Sequence, residues 1–103
     1  MNAEILKLDP IRLEIIANSL RSIADECFAA LMRSAYSTNI KERKDHSIAV
    51  VDRTGRLVVQ AALTLPIHIA SMSGLMECVL EKYGDNIKEG DIFVANDPHT
   101  AGG

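Results

Sequence analysis

Apolar residues recur at Ile16, Leu20, Ile23, Cys27, Leu31 and Ala35, in steps of four, three, four, four and four. That spacing holds them on one face of a helix, with Arg21, Asp25 and Arg33 pointing elsewhere. Ala24, Phe28 and Met32 widen the stripe, so this helix is expected to be covered on more than one side. Asp9-Pro10 supplies an N-cap and a proline at the first helical position, where a missing N–H costs nothing. The pattern predicts a long helix from about Pro10 to about Tyr36. The period then changes. Ser47–Val51 and Arg56–Gln60 are short apolar runs flanking Asp52-Arg53-Thr54-Gly55, with aspartate first and glycine last as a type I turn requires. Both faces of these strands are apolar, as in a sheet covered on two sides, yet a chain this short has few elements to cover it.

A second amphipathic helix follows Leu65-Pro66. Met72, Leu75, Met76, Val79, Leu80 and Tyr83 make its stripe, Ser71 is its expected N-cap and Gly84 its expected left-handed stop. Asp91–Ala95 reads as a third strand. The fold class is therefore α+β: long N-terminal helix, hairpin, second helix and third strand, with both helices packed on one sheet that is part of a larger mixed-sheet domain. The ending, Asn96-Asp97-Pro98-His99-Thr100-Ala101-Gly102-Gly103, has turn chemistry and two glycines that permit close backbone approach.

Composition narrows the function classes. With 48% apolar residues in 103, the chain can build one core, and intrinsic disorder is excluded. A formal net charge of -3 lacks the basic footprint of nucleic-acid or anionic-membrane binding. No apolar run approaches the roughly 18 residues of a spanning helix, and no secretory signal opens the chain. Cys27 and Cys78 lack CxxC spacing and read as reduced, buried packing thiols of a cytoplasmic protein. The cluster Lys41-Glu42-Arg43-Lys44-Asp45 reads as a solvated loop, with an anion grip or a subunit contact as alternatives. Asp97 and His99, two apart, would share one side of an extended segment and supply two positions to a metal that needs three or more. Asp97 could instead cap its own turn. His68, between Ile67 and Ile69, is either a hydrogen-bonded, partly buried histidine or an active-site group. There is no GxSxG, Walker loop, GxGxxG or HExxH.

Four segments in series carry a resemblance that no single one would. They are Asp9-Pro10-Ile11-Arg12-Leu13-Glu14-Ile15-Ile16-Ala17-Asn18, Met32 to Asp45 (MRSAYSTNIKERKD), Pro66-Ile67-His68-Ile69-Ala70-Ser71-Met72, and Gly90 to Gly103 (GDIFVANDPHTAGG). In this order the chain resembles the N-terminal region of the hydantoinase B family, from about Leu8 to Gly103. That family includes the B subunit of N-methylhydantoinase, the matching half of 5-oxoprolinase, and the large subunits of acetone-type carboxylases. Members are much longer, so residues 1–103 would be a single partial domain of a B-type subunit.

The resemblance implies ATP-dependent hydrolysis of a cyclic amide of hydantoin or oxoproline type, with the ATP on a kinase-like A-type ATPase partner in a hetero-oligomer. Phosphorylating an amide oxygen makes it a leaving group, which an unstrained amide otherwise lacks. A divalent metal is implied for the full-length protein, its ligands in a Thr-His-x-x-Asp segment expected beyond Gly103, and no metal or ATP is expected on this chain alone. The candidate catalytic residues here are Asp97, His99 (where relatives often have tyrosine) and His68. Asn96, Gly102 and Gly103 form the candidate substrate loop. Ketone carboxylation is the alternative within the family, and a stand-alone binding or assembly module without catalysis is the rival outside it.

Overall fold

The computed structural model describes residues 9–100. Helix α1 spans Pro10–Ser34, a short α2 spans Thr38–Lys41, strands β1 (Ala49–Val51) and β2 (Leu57–Gln60) form a hairpin, and α3 spans Pro66–Tyr83. A 3-10 turn, Gly84–Asn86, closes α3. The α+β class holds.

Helix α1 begins as its sequence dictates. Asp9 Oδ1 accepts the Ile11 N–H at 3.0 Å, with Pro10 in the first turn. The helix stops at Ser34, two residues before the predicted Tyr36. There the Ser34 hydroxyl donates back to the Ala30 carbonyl at 2.8 Å, and Ala35 leaves in an extended conformation. Its buried face is Ala24 and Phe28, with Ala61, Ile48 and Val59 packed against them. The predicted stripe faces outward: Ile16, Ile23 and Leu31 are exposed, and so is Cys27, against expectation. A two-stranded hairpin covers only one side of a helix that is apolar on two, and it settles on the smaller, flatter one.

The hairpin is antiparallel, pairing Ala49 with Gln60, Val50 with Val59 and Val51 with Leu57, with an irregularity between Val50 and Val51. Asp52 builds its turn. One carboxylate oxygen accepts from Thr54 N at 2.8 Å, Thr54 Oγ1 at 2.6 Å and Arg56 N at 3.0 Å. These donors, the Thr54 hydroxyl first, hold the Asp52 carboxyl below the ordinary aspartate range. Gly55 takes the left-handed φ of 84° that the turn needs. A side chain there would also meet Leu80 of α3 at 3.1 Å.

Two further expectations change. Helix α3 starts at Pro66 after an extended Leu65, so Ser71 is an interior residue, its hydroxyl donating to the Ile67 carbonyl at 3.4 Å. Proline sets that start, since the residue before it disfavours the helical region. Gly84 ends α3 with a positive φ of 39°, as expected. The predicted strand Asp91–Ala95 is no strand among the described residues, whose one sheet is β1–β2. A β-propensity needs a partner edge. Phe93 instead packs on the Tyr83 ring at 4.8 Å, leaving Ile92 and Val94 88% and 91% exposed.

Candidate functional site

The segment between α2 and β1 brings three polar side chains into register with the core and with α3. Lys44 turns the chain with a φ of 58°, and His46 N donates to the Lys44 carbonyl at 2.9 Å. The His46 ring then enters the core. It stacks on Phe28, and Nε2 donates to the Phe28 carbonyl at 3.0 Å. Its neighbours on either side, Asp45 and Ser47, both reach His68 in the first turn of α3. Residues 45–47 thus alternate between the core of α1 and the start of α3.

The chemistry of the trio follows from its donors. The Leu65 N–H donates to Ser47 Oγ at 3.0 Å, which leaves the single hydroxyl proton of Ser47 for His68 Nδ1, 2.7 Å away. His68 Nε2 lies 3.3 Å from Asp45 Oδ1. An unprotonated nitrogen facing a carboxylate would be repelled, so Nε2 carries the ring proton and Nδ1 is the acceptor. A serine hydroxyl, a base-competent imidazole and a carboxylate therefore stand in sequence. His68 and Ser47 are half-buried, and Asp45 is exposed. Beside them opens a cavity of about 280 Å³ lined by Ser47, His68, Ser71, Met72 and Leu75.

The other candidates lie in the segment that follows α3. Asp97 caps its own turn: its carboxylate accepts His99 N at 2.9 Å, Thr100 N at 3.1 Å and the Thr100 hydroxyl. The Thr100 hydroxyl is the main cause holding its carboxyl below the ordinary aspartate range, followed by the two backbone N–H groups. Asp97 and His99 therefore form a turn rather than one side of an extended segment, and Asp97 takes the backbone of His99. His99 and Asn96 are exposed. Gly102 and Gly103 lie outside the described residues. The turn is tied to α3 by Cys78, half-buried, whose thiol donates to the Thr100 carbonyl at 2.9 Å. Ten residues of helix, about 15 Å at 1.5 Å per residue, separate His68 from Cys78. The structure does not bring His68 together with Asp97 or His99.

Asp45 and Ser47 were missed in the sequence because Asp45 reads as one charge in a solvated cluster and Ser47 as the start of a strand. The signal that could find them is their i, i+2 spacing about His46. The charge cluster itself is exposed from Lys41 to Asp45. Among the described residues no three His, Cys, Asp or Glu side chains converge on a point, so those residues do not form a metal site of their own. No helix among them is long and apolar enough to cross a membrane.

A long helix, a hairpin and a helix α3 whose first turn brings His68 to Ser47 and Asp45 define an α+β unit. Residues 9–103 match the Hydantoinase B/oxoprolinase family, and the chain belongs to it. It is 38% identical over 93% of its length to the 5-oxoprolinase of Dictyostelium discoideum and 39% identical over 91% to 5-oxoprolinase 1 of Arabidopsis thaliana. It is 32% identical over 92% of its length to caprolactamase subunit beta of Pseudomonas jessenii. The chain spans 8%, 7% and 16% of those relatives' own lengths. No solved structure matches it.

Proposed function

We propose that this chain is the N-terminal part of a B-type subunit that opens a cyclic amide after an A-type ATPase partner has phosphorylated the amide oxygen. Family membership across residues 9–103 is the observation that supports this most directly. The three relatives are named for two ring amides, 5-oxoproline and caprolactam, and the caprolactamase relative is named as a subunit. Ring opening is favoured over carboxylation because that substrate class is the one those names share. The chain contributes no phosphate loop, which fits a division of labour with the ATP on the partner.

The test is a coupled assay of the full-length subunit with its A-type partner on 5-oxoproline, hydantoin and caprolactam. Ring opening that requires ATP and releases one phosphate per ring is the expected result. Ring opening that proceeds equally without ATP, or a carboxylated product that forms only with bicarbonate, would overturn the reading.

A further inference from the structure

We propose that the cavity beside the first turns of α3 seats the reacting edge of the ring amide, with Ser47, His68 and Asp45 carrying the protons of ring opening. This rests on the cyclic-amide reading above and deepens it.

Three observations converge. The cavity mixes polar and apolar lining: His68, Ser71, Met72 and Leu75 follow one another along one face of α3, with Ser47 beside them. Its volume of about 280 Å³ is near the roughly 300 Å³ at which small-ligand cavities begin, a size for one small ring rather than a nucleotide. Ring methylenes suit the Met72 and Leu75 side chains, and a polar amide edge suits the hydroxyls and imidazole. The third observation is the fixed proton order. Ser47 Oγ accepts the Leu65 N–H and lies 2.7 Å from His68 Nδ1, to which its hydroxyl donates, and Asp45 Oδ1 lies 3.3 Å from Nε2. Among the described residues, the charged group placed against the imidazole is Asp45. A carboxylate there stabilises the imidazolium that forms when Nδ1 takes a proton.

Proton traffic is what the activated ring demands. A water oxygen bonds to the carbon that bears the phosphorylated oxygen, and the ring C–N bond breaks with its electron pair on nitrogen. Both water protons end on that nitrogen, which leaves as an amine, and a second water cleaves the remaining acyl phosphate to carboxylate and phosphate. Ser47 Oγ passes its proton to His68 Nδ1 as it takes one from the water, and the imidazolium returns it by the same route. A positioned acid–base group of this kind contributes about 100-fold or more to such a step.

The experiment uses the full-length subunit with its A-type partner and compares Ser47→Ala, Ser47→Thr, His68→Gln and Asp45→Asn, with Ser73→Ala on the exposed side of α3 as the control. The readouts are kcat, KM, the pH profile of ring opening, and ADP release. The expected result is a fall in kcat of about 100-fold for His68→Gln and Ser47→Ala. KM changes little, ADP release uncouples from ring opening, and the acid limb of the pH profile moves in Asp45→Asn. Ser47→Thr, which keeps the hydroxyl, restores most of the rate. If Ser47→Ala melts below the assay temperature, His68→Gln and Asp45→Asn decide the matter by the same readouts. Near-normal kcat and an unmoved pH profile in those variants, with an active wild type, would overturn the assignment alone. A wild type with no ATP-dependent ring opening would instead overturn the cyclic-amide reading and this assignment with it.

Discussion

Phe28 and His46 stack with ring centroids 3.8 Å apart and planes inclined by 21°, and the same imidazole donates to the Phe28 carbonyl. This one relationship ties the third turn-pair of α1 to the chain just before β1, and it fixes where Asp45 and Ser47 stand. The core around it is small: among the described residues, Ala24, Phe28 and Ala61 are its buried apolar members. Phe28→Ala removes the largest of them, and such a deletion costs about 3–5 kcal/mol. We expect the variant to be largely unfolded at 25 °C by circular dichroism, while Phe28→Leu retains a cooperative melt. A Phe28→Ala chain as stable as the wild type would show that the contact contributes little.

Glycine at position 55 answers two demands at once. Its φ is 84°, where an L side chain costs about 1–2 kcal/mol, and an added Cβ would meet Leu80 Cδ1 at 3.1 Å and Met76 Cβ at 3.4 Å. Gly90 has a similar φ of 89° with nothing within 4 Å. Gly55→Ala should therefore lower the melting temperature more than Gly90→Ala. Equal losses in the two variants would mean that the contact with α3 adds nothing to the backbone strain.

Acid should loosen the two turns built on aspartates. The carboxyls of Asp52 and Asp97 are both held below their ordinary range, chiefly by the hydroxyls of Thr54 and Thr100. A group with a depressed folded pKa stabilises fully above its unfolded value, about pH 4, and loses that contribution as pH falls through the folded one. In titrations followed by NMR, the Thr54, Arg56, His99 and Thr100 amide shifts should hold down to about pH 4 and move below it. Asp52→Asn and Asp97→Asn should each remove the movement at its own turn. Movement that begins well above that pH would show that these carboxylates are not the groups responsible.

The apolar surface that α1 and the segment after α3 leave outside has a measurable consequence. Ile11, Ile15, Ile16 and Ile23 line the outer side of α1, and Ile92 and Val94 stand almost free. Contiguous exposed apolar area promotes association. The purified 103-residue chain should bind a hydrophobic dye and self-associate as concentration rises, and Ile16→Glu with Ile23→Glu should reduce both. A monodisperse monomer without dye binding would count against this.

Activity separates the Asp97 turn from the thiol that anchors it. The isolated chain should release no ADP from ATP above background and open no cyclic amide. In the full-length subunit with its partner, Asp97→Ala should lower turnover by about tenfold or more. Cys78→Ala should chiefly lower the melting temperature, since it removes one half-buried thiol and its bond to the Thr100 carbonyl. Intact turnover in Asp97→Ala, together with abolished turnover in a folded Cys78→Ala, would reverse these assignments.

Local chemistry determined much of this protein from its sequence. Asp9-Pro10 starts α1, Asp52 and Gly55 build the hairpin turn, Gly84 ends α3, and Asp97 caps its own turn. In each case the residue's own backbone preference or a side-chain bond within four residues is enough, so no distant partner is needed to read it. Four short segments in series likewise sufficed to point to the family. The tertiary structure decided the rest. Which stripe of α1 is buried depended on how much hairpin there was to cover it, so Ala24 and Phe28 turned inward while Ile16 and Ile23 stayed out. Asp91–Ala95 has the composition of a strand, but a strand exists only beside another edge, and Phe93 found Tyr83 instead. The meeting of Asp45, Ser47 and His68 needed the longest reach of all. It spans more than twenty residues, and it exists because the His46 ring is held against Phe28, an arrangement no local pattern encodes.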